Sequence, residues 1–497
     1  MKHSLLIKNA AVLTGTSLVL RALGMIFRVW MTNIIGAEGI GLYQLIISIY
    51  VFASAFATTG ICTAVTRLTA ELGAKGQSSP KIMRRGVLAT VILAAVSMLA
   101  LVVFSKEIAV YLLKDSRAEL ALKMLGLGIP FVGLCSVIRG YFLAKRKTLS
   151  SSLGQLIEQG VRIAAVMALV SLVEGKGTEY SVAAIILGDA IAEAVGCLFM
   201  YIIYRYESHK SNLRPVLNLP ITRKLIHIAL PITLGKYTHT ALRTVENLMV
   251  PTMLALYNSD RASSVAWFGM IKGMAIPLLF FPASFLTAFS TLLIPEISEA
   301  LELGHRYKLR SGAERAIGIT VIISVFISGA FYLLGNEISA LVYPEENIAP
   351  LLISLSPLVP FMYLECVCDG ILKGLDQQKH SFIYSVLDSV SRIALIWLLL
   401  PKYGMQGFIW IMVYSNLLTS LLNIRRLLKV TGTPVNIGSW ILKPLVALII
   451  GIGIASLSMS GAEGDILRLI IGFFSLLFSY ALVLFFWGEL KIVRGII

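Results

Sequence analysis

Long apolar runs separated by short polar loops extend along the whole chain. An α-helix needs about 20 apolar residues to cross a bilayer core about 30 Å thick, and about fourteen runs reach that length. Their approximate limits are 9–33, 40–66, 86–105, 119–144, 153–173, 180–204, 225–256, 263–294, 315–335, 350–372, 381–401, 404–424, 439–459 and 466–488. The pattern predicts an all-α integral membrane protein whose loops are too short to hold a soluble catalytic domain.

The composition excludes an ordinary soluble protein. Hydrophobic residues make up 57% of the 497 positions and charged residues 14%, with a mean hydropathy of +0.83. Soluble domains carry about 25% charged residues because they need a polar surface around their core. The 43 Lys and Arg exceed the 27 Asp and Glu, which gives a net charge of +16. In a membrane protein this excess reports loop orientation rather than nucleic-acid binding.

Basic loops follow every second predicted crossing. Lys and Arg are retained on the cytoplasmic side of a membrane during insertion, so their positions give the orientation. With the N-terminus inside, the even-numbered crossings are followed by loop cations such as Lys75, Arg84, Lys145, Arg146, Lys147, Arg205, Arg223, Arg306, Lys308, Arg425 and Arg426. We therefore expect a multi-pass protein with both termini in the cytoplasm.

The chain contains two copies of one pattern, displaced by 230 positions. Glu158-Gln-Gly-Val-Arg162-Ile-Ala in the fifth crossing matches Asp388-Ser-Val-Ser-Arg392-Ile-Ala in the eleventh. Six crossings separate the copies, and because six is even both copies have the same orientation. We predict two parallel six-helix lobes around a central cavity, followed by two further helices. The three parts would comprise residues 1–210, 211–430 and 431–497.

Charged side chains inside three of the crossings are the strongest indications of a binding site. A Lys, Arg or Asp at the centre of a membrane helix costs about 2.5–3.5 kcal/mol on insertion, so it usually faces a cavity or a partner. Arg21 and Arg28 lie two turns apart on one face of the first crossing, about 10 Å from each other. The others are Arg243 and Glu246 on the seventh crossing and Lys272 on the eighth. Such a set of cations suits an anionic substrate, and the arginine fork suits phosphate.

A structural explanation also exists for these charges. Arg28 can extend its guanidinium to the outer headgroups of the bilayer. Arg243 and Glu246 have i, i+3 spacing and can neutralise each other. Both explanations stay open beside the substrate-binding one.

Two acid–arginine pairs recur at the 230-residue offset. Glu158–Arg162 and Asp388–Arg392 have i, i+4 spacing with the acid first, which is the favourable order for a helical ion pair. Their recurrence in both lobes favours a buried brace. In the alternative interpretation Glu158, Asp388 and Asp189 are candidates for an ion or proton site that drives transport, with a monovalent cation as the coupling partner.

Enzymatic and metal-binding motifs are absent from the sequence. No Gly-rich loop ends in Lys-Ser or Lys-Thr after a strand, which argues against ATP as the direct energy source. The six histidines and five cysteines lack metal-ligand spacing, and the cysteines fall within apolar runs. We therefore expect no catalytic residue, no metal, no cofactor and no nucleotide.

Two stretches carry a family resemblance. One combines Arg21-Ala-Leu-Gly-Met-Ile-Phe-Arg28-Val with Ile35-Gly-Ala-Glu-Gly-Ile-Gly-Leu-Tyr43, and the other combines Ser136-Val-Ile-Arg139-Gly-Tyr-Phe with Gln155-Leu-Ile-Glu158-Gln-Gly-Val-Arg162-Ile. They resemble the stage V sporulation protein B family of the multidrug, oligosaccharidyl-lipid and polysaccharide exporter superfamily. That superfamily also contains the lipid II flippases and the MATE drug antiporters. The resemblance extends over nearly the whole chain.

The resemblance implies a flippase of the bacterial inner membrane that moves an undecaprenyl-diphosphate-linked sugar by alternating access. Arg21 and Arg28 resemble the first-helix arginines of lipid II flippases, and Lys272 stands where those proteins carry a cavity arginine. Their second-helix arginine has no counterpart between Ile46 and Ala57. The implied partners are the lipid bilayer and a polyprenyl-diphosphate-linked saccharide, such as a peptidoglycan precursor or another polysaccharide unit.

A MATE-type, cation-coupled multidrug antiporter is the alternative function. Such a protein would have twelve helices and an acidic cation site in its N-terminal lobe, whereas this chain has a cationic first crossing. Charge inside a membrane cavity tracks the opposite charge of the ligand, so the cations favour the flippase. The residues leave open the sugar, the coupling ion, the oligomeric state and the choice among sporulation, peptidoglycan and capsule synthesis.

Overall fold

The computed structural model describes residues 2–209, 214–215 and 221–489. Nearly all of these residues are helical, so the predicted all-α class is confirmed. Within the described ranges the strand content is one parallel pair, Gln77–Ser78 with Arg214–Pro215.

Seven helices form the first part of the chain. The stretch Lys2–Ala74 is divided at Gly36, whose backbone angles (φ 68°, ψ −179°) are available almost only to glycine. We number its two parts α1 (residues 2–35) and α2 (37–74). The next five helices are α3 (Pro80–Val103), α4 (Ala118–Ala144), α5 (Thr148–Leu172), α6 (Thr178–His209) and α7 (Ile221–Asn258). A three-residue helix, Ser105–Glu107, and a π-helix, Ile108–Leu112, separate α3 from α4.

In the second part of the chain, the first predicted crossing is two helices rather than one. The single crossing predicted at 263–294 consists of α8 (Arg261–Phe280) and α9 (Ala283–Glu302). Pro282 at the junction has no backbone N–H to continue the hydrogen-bond ladder, which explains the break. Within α8 the segment Gly269–Ala275 is a π-helix.

Six further helices complete the chain. They are α10 (Arg306–Leu333), α11 (Ala349–Gly374), α12 (378–403), α13 (405–431), α14 (Gly438–Met459) and α15 (Asp465–Phe486). Gly404 separates α12 from α13, again with a non-helical backbone (φ 53°, ψ −129°). A short helix, Gly335–Val342, precedes α11. In α11, Ser356–Leu358 is a 3₁₀ turn, and α14 begins with a π-helix, Gly438–Leu442.

Membrane-spanning length is common among these helices. Eleven helical segments of the described chain are long and apolar enough to cross a bilayer, and two of them, Thr14–Ala74 and Gln378–Thr431, contain the breaks at Gly36 and Gly404. The helix α7 is not one of the eleven, because its polar and charged residues interrupt the apolar sequence. The protein is therefore a multi-span membrane protein, and the number fourteen stays a prediction.

The chain forms two compact units. Unit 1 comprises Met1–Phe27 and Glu38–Leu248, and unit 2 comprises Arg28–Ala37 and Met249–Ile497. The lobe boundary predicted at residues 210 and 211 lies outside the described residues, and the three-part division stays a prediction.

The core of unit 1 lies between α2, α3, α4, α6 and α7. Its fully buried side chains include Val65, Val137, Phe142 and Met200. Along this core α2 and α7 are in close contact because Gly60 of α2 has no side chain. A Cβ atom at this position would clash with Ala229 and Thr233 of α7.

Tyrosine hydroxyls tie the helices of unit 2 together. Tyr363 on α11 donates a hydrogen bond to the carbonyl of Leu279 on α8 at 2.6 Å, and Tyr480 on α15 donates to the carbonyl of Ile322 on α10 at 2.9 Å. In an apolar interior such hydroxyls need a partner. The contact through Tyr480 places α15 directly against α10.

Candidate functional site

Hydrogen bonds between α2 and α7 fix the rotation of α7 around Arg243 and Glu246. Thr244 donates a hydrogen bond to the carbonyl of Ser48 at 3.1 Å, and the amide of Asn247 donates to the Ser48 hydroxyl at 3.0 Å. Each of these two residues directly follows a member of the charged pair, Thr244 after Arg243 and Asn247 after Glu246. Glu246 is buried and Arg243 is exposed at the protein surface.

The two arginines of α1 belong to different compact units. Arg21 lies in unit 1 and is exposed, whereas Arg28 lies in unit 2 and is half-buried. Arg28 acts electrostatically on Tyr343, a residue whose hydroxyl is buried without a hydrogen-bond partner. Burial raises the pKa of Tyr343 to about 12, and the positive charge of Arg28 acts in the opposite direction. Both explanations of Arg28, substrate binding and extension towards the headgroups, stay predictions.

Lys272 lies in the π-helical segment of α8. The side chain is half-buried, and the segment Gly269–Ala275 ends one residue before the turn that contains Pro277. Short π-helical segments inside α-helices are frequent at functional sites, because they displace side chains from the regular helical faces. The sequence predicted a helical Lys272 but gave no sign of this irregular backbone.

The predicted substrate-binding residues are shared between the units. Arg21, Arg243 and Glu246 belong to unit 1, and Arg28 and Lys272 belong to unit 2. Their convergence on one cavity stays a prediction.

Glu158 is the buried centre of an ion network in unit 1 whose other charged members are half-buried. Both Arg139 of α4 and Arg162 of α5 contact its carboxylate, the latter at 3.2 Å. The helix α6 packs close to Glu158 because Gly196 has no side chain. A Cβ atom at this position would lie 3.1 Å from Glu158. The predicted Glu158–Arg162 pair therefore exists, but it has a second arginine that was not among the predicted site residues.

Arg162 connects this centre to two further acids. Its Nε lies 3.1 Å from Asp189, and its Nη2 lies 3.5 Å from Glu193 on α6. Tyr43 of α2 donates a hydrogen bond to Asp189 at 3.2 Å. The network thus joins α2, α4, α5 and α6. Tyr43 and Arg139 both fall in the stretches that carry the family resemblance, which was the available signal for their role.

The matching pair in unit 2 has simpler surroundings. Asp388 contacts Arg392, and both contact the hydroxyl of Ser415 on α13 at 2.6 Å. Asp369, at the position that matches Arg139, instead contacts Ser381 and Lys373. The predicted Asp388–Arg392 pair therefore exists, and a hydroxyl completes it.

The unit 1 network is unbalanced in charge. It contains three carboxylates and two guanidinium groups, so with all groups ionised it has an excess of one negative charge. An excess charge that is largely withdrawn from water favours a compensating proton or cation. No group of three or more His, Cys, Asp or Glu side chains suited to a metal ion occurs among the described residues.

Comparisons with known proteins agree with this architecture. The family model described as polysaccharide biosynthesis protein matches residues 6–301. The stage V sporulation protein B of Bacillus subtilis (strain 168) is 25% identical over 463 residues, which cover 91% of this chain and 89% of that protein.

Solved structures of two transporter types have a similar fold. A structure of the lipid II flippase MurJ in an inward closed conformation has a TM-score of 0.72 at 15% identity, and the match covers 97% of this chain and all of that one. An inward-facing MATE family transporter of the MOP superfamily has a TM-score of 0.64 at 12% identity, with 86% of this chain and all of that one covered.

Proposed function

We propose that this multi-span chain, which belongs to the polysaccharide biosynthesis protein family, is a transporter that flips a polyprenyl-diphosphate-linked saccharide across the bacterial inner membrane. Solved structures with a similar fold include a lipid II flippase and a MATE family transporter. The saccharide would be a peptidoglycan precursor or another polysaccharide unit, in keeping with the family description. Both termini would face the cytoplasm, as the basic loops predict.

The observation that carries this proposal is the set of four cations on helices of bilayer length. Arg21 and Arg28 occupy α1, Arg243 is exposed on α7, and Lys272 occupies the π-helical segment of α8. Four positive charges would compensate the charge of a diphosphate, and arginine can bind phosphate oxygens in a bidentate manner. The buried Glu246 would orient Arg243.

The proposed cycle uses the two compact units as its moving parts. The diphosphate headgroup would bind these cations from the cytoplasmic side while the polyprenyl tail stays in the lipid. A change in the arrangement of the units would then expose the headgroup to the other side. The unit 1 network, with Glu158 and Asp189, would take up a proton or a monovalent cation and couple that uptake to the cycle. Asp388, the third candidate for coupling, would instead brace unit 2 through its contacts with Arg392 and Ser415.

Headgroup translocation in proteoliposomes tests this proposal. A fluorescent undecaprenyl-diphosphate sugar would be followed with the unaltered protein, with Arg28→Ala and with Arg21→Gln. We expect each variant to lose at least about tenfold in rate, because one charge-assisted phosphate contact contributes about 1.5–3 kcal/mol. Arg67→Gln is the matched control, since Arg67 is an exposed α2 residue paired with Glu71. Full transport by Arg21→Glu and Arg243→Glu would overturn the proposal.

A MATE-type, cation-coupled multidrug antiporter is the second candidate function. The unit 1 network favours it, because a buried excess of carboxylates is the type of site that binds a coupling cation. In the same liposomes this function predicts efflux of an organic cationic dye against a sodium or proton gradient, without translocation of the lipid-linked sugar. That result would make Asp189 and Glu193 the residues to neutralise next.

A further inference from the structure

A charged cavity lies in unit 1, and none of the predicted transport residues lines it. It has a volume of about 690 Å³ and lies where α2 ends, α3 begins and the α4–α5 loop meets the end of α6. The basic loops predict this end of the unit to be cytoplasmic. Lys145, Arg146, Lys147 and Arg205 line the cavity, and no Asp or Glu is among its described lining residues.

Ser79 presents an unused polar group to this cavity. It is the residue before the first turn of α3, where serine normally accepts a hydrogen bond from the helix N-terminus. Here its side chain makes no such bond, and the hydroxyl is buried, at 8% residue exposure, without a hydrogen-bond partner. The parallel pairing of Gln77–Ser78 with Arg214–Pro215 fixes the backbone just before it. A buried hydroxyl without a partner is costly, so a bound acceptor at this place would remove the cost.

Aromatic side chains hold one of the cations in place. The ammonium of Lys145 lies 4.6 Å from the centre of the Tyr141 ring, and that ring packs edge-on against Tyr204 at 5.0 Å. Burial, together with the nearby charge of Lys147, lowers the pKa of Lys145. Lys147 itself is paired with Glu207. The cavity therefore combines a fixed ammonium with an aromatic and partly apolar wall.

The internal repeat indicates that the fold does not require these basic residues. The α4–α5 loop and its counterpart after α11 have the same backbone, with a positive φ of 57° at both Arg146 and Asp376. The backbone N–H of the next residue, Lys147 in one loop and Gln377 in the other, donates a hydrogen bond to the carbonyl five residues earlier. The two N···O distances are 3.0 Å and 2.9 Å. The second loop thus carries Leu-Asp-Gln where the first carries Lys-Arg-Lys. The same turn forms without the positive charges, so their presence in unit 1 needs another reason.

We propose that this cavity binds a phosphate group, with Lys145, Arg146 and Arg205 as the charged contacts and Ser79 as a hydroxyl donor. Its position at the ends of membrane helices and its partly apolar wall favour the headgroup of an anionic phospholipid of the cytoplasmic leaflet over a soluble phosphate ester. Basic cavities between helices on this side of a membrane are suited to such headgroups. The site is separate from the transport residues, so its occupancy does not depend on the transported substrate.

Thermal unfolding of the full-length protein in detergent tests the proposal. The additives are phosphatidylglycerol, phosphatidylcholine, glycerol 3-phosphate and inorganic phosphate. We expect phosphatidylglycerol, and not phosphatidylcholine, to raise the Tm. In the double variant Lys145→Gln with Arg205→Gln, the lipid concentration for half of this effect should rise at least about tenfold.

The matched control removes the same charge from the same end of unit 1. Arg84→Gln with Arg85→Gln alters a neighbouring basic cavity and should leave the phosphatidylglycerol effect unchanged. Ser79→Ala is the variant that separates binding from folding, because its hydroxyl has no protein partner to lose. It should keep or slightly raise the Tm measured without lipid and weaken the lipid effect.

The outcomes separate the two sources of phosphate. A Tm increase with glycerol 3-phosphate that matches the lipid effect, and that is lost in the same variants, would assign the site to a soluble phosphate ester. An equal phosphatidylglycerol effect on all variants would indicate a general surface-charge effect and overturn the proposal. No effect of any anionic additive on the unaltered protein would overturn it as well.

Discussion

The two copies of the internal repeat use the same acid–arginine pair in different surroundings. In unit 1, Glu158 and Arg162 belong to a network with Arg139, Asp189 and Glu193. In unit 2, Asp388 and Arg392 share the hydroxyl of Ser415. The pair thus occupies the same backbone position in both copies, but the side chains that contact it from neighbouring helices differ.

This difference separates a brace from a candidate coupling site. A carboxylate–guanidinium pair is neutral and can stabilise the contact between two helices without any ligand. A network with one more carboxylate than guanidinium groups is stable in a membrane only with a proton or cation, since buried uncompensated charge is strongly unfavourable. We therefore expect substitutions in unit 2 to affect stability and substitutions in unit 1 to affect stability and coupling together.

The largest expected effect is from removal of the arginine in each pair. Arg162→Gln leaves three carboxylates with one guanidinium group and should lower the free energy of unfolding by about 3–5 kcal/mol. In Arg392→Gln the Asp388 carboxylate keeps its hydrogen bond from Ser415, so the loss should be smaller by at least about 1 kcal/mol. Thermal or denaturant unfolding in detergent measures both.

The control for this comparison is Arg67→Gln on the surface of α2. The Arg67–Glu71 pair is exposed, and such pairs contribute only about 0–1 kcal/mol. A loss in Arg392→Gln equal to that in Arg162→Gln would mean that the two pairs are equivalent braces, and the distinction between the units would be wrong.

Neutralising the carboxylates should affect the gradient dependence of transport in unit 1 and not in unit 2. Asp189→Asn and Glu193→Gln each remove the excess negative charge of unit 1, and we expect the dependence of transport on an imposed proton or sodium gradient to fall at least about tenfold. Asp388→Asn should keep that dependence, because it disturbs a neutral pair. The measurement is the initial transport rate in proteoliposomes with and without the gradient. Gradient-driven transport that is retained in Asp189→Asn and lost in Asp388→Asn would reverse the assignment.

The sequence predicted the helices and the ion pairs better than their surroundings. Apolar runs locate membrane helices because a bilayer requires a fixed length of nonpolar residues, and i, i+4 spacing locates Glu158–Arg162 because both residues lie on one helix. The contacts from Arg162 to Asp189 and Glu193 depend on how α5 packs against α6, for which one sequence has no local signal. The π-helical backbone at Lys272 also has no local signal. The break of the eighth crossing at Pro282 did have one, the missing N–H of proline, but the apolar pattern alone does not detect it.

A smaller effect is expected at the hydroxyl that completes the unit 2 pair. Ser415→Ala removes a donor to Asp388 and an acceptor for Arg392 but leaves the ion pair itself intact. The free energy of unfolding should fall by about 2 kcal/mol, because two hydrogen bonds are lost and each contributes about 1 kcal/mol. Unfolding of this variant beside Ser420→Ala, a buried serine on the same helix, measures the effect. A loss above about 3 kcal/mol would show that Ser415 is as important as the arginine.

The smallest expected effect, and the most specific to coupling, is at Tyr43 of α2. Tyr43→Phe removes only the hydroxyl that donates to Asp189 at 3.2 Å and should lower the free energy of unfolding by about 0.5–1 kcal/mol. Its effect on transport should be clearer, because Asp189 loses a donor that stabilises its charged form, and the gradient required for half-maximal transport should change. Tyr414→Phe on α13 of unit 2 is the matched control and should leave that gradient unchanged. If Tyr43→Phe changes neither stability nor gradient dependence, Asp189 is held by Arg162 alone and α2 lies outside the coupling network. If both tyrosine variants change the gradient dependence equally, coupling is not confined to unit 1.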